Sequence, residues 1–218
     1  MFELKTDRNS LAKPLCLLLV TVIFSVLTFF VDREAIGLEG TSVGFSSLNG
    51  AVSDALGYNG LFDKVSDLVM ALAFLVVASF AVMGLITLVK TKSIAEVGKT
   101  ILGLGILYLV VAIIYVAFDK IPINYRPILQ PGETEIETSF PSSHTLVICS
   151  VFGSAIVAWK RLFSGKSYVK ILNIAAVALM VVGVCARLLA GVHWLTDIMA
   201  GVLFSLTLVS FYAACSKD

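Results

Sequence analysis

Apolar residues along this chain run on for about twenty positions at a time. Neither the spacing of an amphipathic surface helix nor the alternation of a half-buried strand breaks them up. Six such stretches cover roughly residues 14–31, 68–89, 100–118, 142–159, 171–190 and 195–215. Each is near the ~20 residues that, at ~1.5 Å rise, cross a ~30 Å hydrocarbon layer. In hydrocarbon the backbone must satisfy its own polar groups, which a helix does and an open strand cannot. The pattern therefore predicts an all-α, polytopic membrane protein: a bundle of six transmembrane helices forming one membrane-embedded domain over residues 1–218. Two stretches are impure near their ends. Arg187 sits late in the fifth and Asp197 early in the sixth, which leaves both charges close to a membrane face.

The polar segments between the stretches set the orientation. Lys5, Arg8 and Lys13 precede the first; Lys90, Lys92 and Lys99 separate the second from the third; Lys160, Arg161, Lys166 and Lys170 separate the fourth from the fifth; and Lys217 follows the sixth. The opposite side holds Arg33, Lys64, Lys120, Arg126 and Arg187 with most of the acids. The positive-inside rule then places both termini in the cytoplasm and turns the loops at 32–67, 119–138 and 187–197 outward. The first stretch is longer than the apolar core of a secretory signal and reads as a retained helix. In the outer loop from Asp32 to Asp67, Leu48, Val52, Ala55 and Leu56 recur at helical spacing, with Ser46 or Ser47 placed to cap the start and Gly57 to stop the end. A short helix on the outer surface is expected, either covering a site or serving as a plain connector. Cys16, Cys149, Cys185 and Cys215 fall in or at the ends of spans without a C-x-x-C pair, so buried apolar thiols are expected.

Composition narrows the class further. Of the 218 residues 58% are apolar and 14% charged, with a net charge of +1, and the mean hydropathy is +0.97. That rules out disorder and an ordinary soluble domain. Balanced charge without a basic tract gives no footprint for nucleic acid. The bilayer is the expected environment, and the short, unadorned chain points to a bacterial inner membrane.

Against this background the ionisable residues stand out. Both histidines, His144 and His193, lie on the outward side with Lys120, Arg126, Arg187 and Asp197 at span ends. Ionisable groups near membrane depth cost about 2.5–3.5 kcal/mol each, which makes them functional candidates. Prolines in Lys120-Ile-Pro-Ile-Asn-Tyr-Arg126-Pro127 stiffen an outer segment carrying two cations. Pro141-Ser142-Ser143-His144 has the pattern of a helix start whose free N–H groups suit an anion. In Arg187-x5-His193-x3-Asp197 the histidine and the aspartate stand one turn apart, so the carboxylate can fix the imidazole tautomer. Two cations ~6 Å apart repel by roughly 3 kcal/mol at an effective dielectric near 20. Lys120, Arg126 and Arg187 would therefore converge on an anion, and a divalent metal would add to the repulsion; neither metal nor cofactor is expected. Singly, His144 could be a cap, Arg187 could snorkel and Asp197 could stabilise a helix start. Together those readings need several coincidences on one membrane face. Trp194, Tyr125 and Trp159 read as interfacial belt residues, and Glu133, Glu135 and Glu137 as a solvated loop face.

These pieces resemble the signature of the type 2 phosphatidic acid phosphatase family, related to vanadium haloperoxidases and bacterial class A acid phosphatases. The family pattern is Lys, six residues, Arg-Pro; Pro-Ser-Gly-His; and Ser-Arg, five residues, His, three residues, Asp. The second and third elements match in order and spacing. Five residues separate Lys120 from Arg126, so Asp119 stands at the lysine position; Ser143 replaces the glycine and Ala186 the serine. The resemblance implies His193 as nucleophile, Asp197 as its orienting partner and His144 as general acid. It implies phosphoryl binding by Arg126, Arg187, Ser142, Ser143 and Lys120. A lipid phosphate would be hydrolysed through a phosphohistidine without a metal, on the extracytoplasmic side. Phosphatidic acid, phosphatidylglycerophosphate and undecaprenyl diphosphate are the substrate types implied. Lipid-to-lipid phosphoryl transfer and non-catalytic lipid-phosphate transport are the alternatives.

Overall fold

The computed structural model describes residues 8–130 and 132–216. Lys5 and Lys217, two of the residues used to orient the chain, lie outside them. Among the described residues there are seven α-helices: α1 (Arg8–Phe30), α2 (Ser46–Leu56), α3 (Gly60–Thr91), α4 (Ile94–Lys120), α5 (Ser143–Leu162), α6 (Tyr168–Leu189) and α7 (Leu195–Cys215). All but α2 are long and apolar enough to cross a membrane, so the protein is a multi-pass helical membrane protein. The helices outrun their apolar cores. α3 starts at Gly60, where Asn59 accepts a hydrogen bond from the Leu61 N–H at 3.0 Å. Its first turns thus lift Asp63 and Asp67 above the uncharged run, because a helix stops at its cap and not where hydrocarbon ends.

α5 occupies the middle, packing on α3, α4, α6 and α7. Half of its spanning window (50%) is buried inside the protein, against 17% for α1 and for α4. Val69, Ile148 and Phe152 form one apolar cluster around it, and Phe80, Leu104 and Tyr212 join Ala155 and Ala158 in another. Lipid tails are as apolar as these side chains, so close packing and interhelical hydrogen bonds must supply the cohesion. Thr21 and Thr207 share one at 2.9 Å between α1 and α7, and the Ser205 hydroxyl donates to the Leu146 carbonyl at 3.0 Å between α7 and α5. The same logic corrects the expectation for the cysteines. Cys16, Cys185 and Cys215 are exposed on the bundle surface, because in a bilayer an apolar thiol gains little by turning inward.

The short helix α2 forms, but its anchorage differs from the expectation. Neither Ser46 nor Ser47 caps it by its side chain; the Asp32 carboxylate accepts from the Ser47 N–H at 2.8 Å and from the Ser46 hydroxyl at 3.0 Å. Those donors hold the Asp32 carboxyl below its ordinary range. Asn49 is the buried tether: its amide donates to the Gly44 carbonyl (2.7 Å) and the Thr196 hydroxyl (2.8 Å), and its oxygen accepts from the Thr196 N–H at 3.2 Å. α2 is thereby fixed to the start of α7, while Leu48 and Leu56 stay exposed. The apolar stripe that announces the helix faces away from the protein, and the polar face does the docking.

Candidate active site

Four segments meet at one end of the bundle: the start of α3, the α4–α5 loop, the start of α5, and the α6–α7 turn. In the α4–α5 loop Tyr125 and Thr138 form an isolated antiparallel bridge. The Arg126 N–H donates to the Glu137 carbonyl (3.0 Å) and the Ser139 N–H to the Asn124 carbonyl (2.9 Å). This clasp sets Arg126 opposite Glu137, whose carboxylate accepts from the Arg126 Nε at 2.8 Å. Glu137 is therefore part of the site and not merely a solvated loop face.

The α6–α7 turn hinges on Gly191, whose φ of +68° suits glycine; a Cβ there would also collide with the Gly57 carbonyl. The bend brings Arg187, at the end of α6, over His193. The guanidinium is 1% exposed. One of its nitrogens donates to Asp63 and, at 3.4 Å, to the Ser66 hydroxyl, while the other lies 3.3 Å from Nε2 of His193. Arg126 reaches the same Nε2 at 3.3 Å from the other side and also donates to the Val192 carbonyl at 3.3 Å. Guanidinium has only donors, so Nε2 must be the accepting nitrogen and Nδ1 carries the proton. Nδ1 lies 3.7 Å from Oδ2 of Asp197, one turn further on. Burial, and then the charges of Arg126 and Arg187, push the His193 pKa well below its ordinary value, so the imidazole is neutral.

Asp197 is fully buried and firmly held. Oδ2 accepts from the Trp194 N–H at 3.0 Å, and Oδ1 accepts from the Asn124 amide at 3.1 Å. Asn124 in turn accepts from the Gly44 N–H at 3.2 Å, which ties the α1–α2 loop to the site. Trp194 is nearly buried, and its indole N–H donates to the Tyr125 carbonyl at 2.6 Å. It serves as a brace between two site segments where a belt residue was expected.

At the head of α5, Ser142 accepts from the Thr145 N–H at 3.5 Å, and its own N–H donates to the Asp197 carbonyl at 3.0 Å. Ser143 lines the same small cavity as Arg126, Glu137 and His193. His144 is hydrogen-bonded through Nε2 to Asp67 at 2.8 Å, and its Nδ1 is buried with no partner among the described residues. Of the eight sequence candidates Arg126, Ser143 and His193 thus line the cavity, Arg187 and Asp197 flank His193, and Ser142 and His144 sit beside them at the head of α5. Lys120 does not join them: its ammonium is 77% exposed and paired with Asp119 at 2.8 Å, while Asp119 lines the cavity. Among the described residues no group of three or more His, Cys, Asp or Glu side chains is arranged to hold a metal.

Asp63, Ser66, Asp67 and Asn124 were not anticipated. The first three precede an apolar run and look like ordinary solvated helix-start residues; only packing shows which charges they face. Their presence revises the electrostatics as well. Each guanidinium already has a carboxylate of this chain, Asp63 or Glu137, so the convergence of cations does not by itself demand a foreign anion.

Residues 118–218 match the model of the PAP2 superfamily. No curated protein matches the sequence. The crystal structure of the first transmembrane PAP2 type phosphatidylglycerolphosphate phosphatase from Bacillus subtilis is similar with a TM-score of 0.62 and 21% identity, over 92% of this chain and 94% of that one. At that identity the likeness is one of fold.

Proposed function

We propose that this chain, which carries the PAP2 superfamily match and shares its membrane fold, is an integral-membrane lipid phosphatase working through a phosphohistidine. The observation that carries the reading is the neutral His193, its Nε2 held between two guanidiniums and its Nδ1 turned toward a buried, doubly hydrogen-bonded Asp197. A phosphoryl group entering the cavity offers Arg126 and Arg187 better acceptors than an imidazole nitrogen. Once they turn to its oxygens, Nε2 is free to attack phosphorus in line. The bond to the leaving oxygen breaks, and His144 gives that oxygen a proton. Water then attacks the phosphohistidine, His144 takes the water's proton, and inorganic phosphate departs. Asp197 stabilises the charge on His193 in both steps, and Asp67 keeps His144 oriented. The N-terminus of α5 and Ser142 and Ser143 support the phosphoryl oxygens.

None of these steps calls on a metal. The distribution of Lys and Arg supports a site on the extracytoplasmic side of the membrane, with both termini in the cytoplasm. The purified protein in EDTA is expected to release phosphate from phosphatidic acid, phosphatidylglycerophosphate or undecaprenyl diphosphate, assayed in parallel. His193→Ala should abolish release; undiminished turnover in that variant refutes the proposal. Adding an acceptor lipid and analysing the products separates hydrolysis from transfer.

A further inference from the structure

We propose that the groove between α5 and α6, at the end of the bundle opposite His193, binds an anionic diacyl phospholipid of the leaflet it opens onto. The groove has a volume of about 810 Å³ and is walled by Ile156, Val169, Ile174 and Val177. Lys160, Lys166 and Lys170 stand at its mouth, and no Asp or Glu lines it. Ile174 and Val177 are exposed, so the walls run on into the lipid-facing surface of the bundle. In a bilayer such a groove fills with acyl chains, and what remains to be decided is which headgroup tops them.

The lysines decide it. At the His193 end of the bundle three cations are answered by the chain's own acids, Lys120 by Asp119, Arg126 by Glu137 and Arg187 by Asp63. Among the described residues none of the three groove lysines has such a partner. Arg161, next in sequence, is turned away: it donates to the Ser216 and Ala213 carbonyls and lies over the Tyr212 ring. Three uncompensated ammonium groups on flexible stems at the membrane surface match a phosphodiester anion. Asn173 adds a buried Oδ1, without a partner among the described residues, in the same lining. It can accept from a headgroup hydroxyl such as the glycerol of phosphatidylglycerol. A soluble anion would leave the apolar walls unused, and a zwitterionic lipid would bring its own cation to a mouth already crowded with three.

The lipid would sit on two helices that matter to the site. His144 is 16 residues from Lys160 along α5, a separation of roughly 24 Å. One molecule wedged between α5 and α6 would hold the spacing of the helices that carry His144 and Arg187.

The full chain, delipidated in detergent and exposed to phosphatidylglycerol or phosphatidylcholine of identical acyl chains, supplies the test, with bound lipid counted by native mass spectrometry. Wild type should retain phosphatidylglycerol at least tenfold better. Lys160→Gln, Lys166→Gln and Lys170→Gln should each weaken retention about fivefold, and the triple variant should lose the preference. Val177→Trp, which fills the groove and keeps the lysines, should lower retention of both lipids. Equal retention of the two lipids by wild type, or an undiminished preference in the triple variant, overturns the proposal. So does a groove occupied by a second copy, seen as an Ile174→Cys disulfide dimer that excludes lipid. Phosphate release is not the readout, so the outcome stands whether or not His193→Ala abolishes turnover.

Discussion

At the scale of single residues, the site is a set of charges each held by another. His193 is kept neutral by burial and by the neighbouring Arg126 and Arg187, which is the state its proposed role as nucleophile needs. A depressed pKa means that the imidazole stays unprotonated as pH falls through 6.5, its ordinary value. The acid limb of kcat/KM due to the nucleophile should therefore lie below that pH. Replacing Arg126 with Gln removes a cation that opposes the imidazolium, so the limb should move up toward 6.5. A pH profile of both proteins checks the sign, and an unmoved limb would contradict the assignment. Asp197→Asn keeps the shape but not the charge that stabilises the imidazolium. It should cost about 10²–10⁴ in kcat, by analogy with the effect of losing a triad carboxylate or a general acid. Asp67→Asn should lose part of the roughly 10²–10⁴ that a general acid supplies. Its mark would be a smaller loss for a substrate with a more acidic leaving group, which needs less protonation. A loss equal for all leaving groups would make Asp67 a merely structural partner of His144.

At the scale of elements, two polar joints hold the site end of the bundle together. α2 is docked through Asn49, whose removal would leave the Thr196 N–H and the Gly44 carbonyl without their partner. Asn49→Ala should therefore destabilise by about 1–3 kcal/mol. Hydrogen exchange should rise over 44–57 before it rises in α5. The α6–α7 turn is the second joint. Gly191→Ala forces a side chain into a left-handed conformation against the Gly57 backbone, at a cost of roughly 1–3 kcal/mol. The strain falls between Arg187 and His193, so activity should fall by more than the lost folded fraction explains. α5 joins these elements because it starts in the site and runs through the centre of the bundle. Its small and polar residues, such as Ser150, Ser154 and Ala155, are buried where helices approach closely.

For the whole molecule, the uneven distribution of Lys and Arg makes a topological prediction. In a cysteine-free background Glu39→Cys should react with an impermeant maleimide added outside intact cells. Lys166→Cys should react only after the membrane is opened. The reverse pattern would place the site in the cytoplasm. The six spans and the all-helical class were legible in the sequence, because a bilayer demands long apolar helices wherever the chain crosses it, and the periodic apolar positions of the 32–67 loop announced the short helix α2. Arg126, His144, Arg187, His193 and Asp197 were legible too, since charge and imidazole at span ends are costly enough to stand out. Asp63 and Asp67 were not, because an acid at a helix start looks the same whether it meets water or a guanidinium. Nor could spacing alone reveal that Lys120 turns to Asp119, that Trp194 is a brace, or that α2 docks by its polar side. Hydrophobicity and local periodicity are written residue by residue and so can be read from the chain. Which carboxylate neutralises which cation depends on how helices distant in sequence pack, and only the tertiary structure decided that.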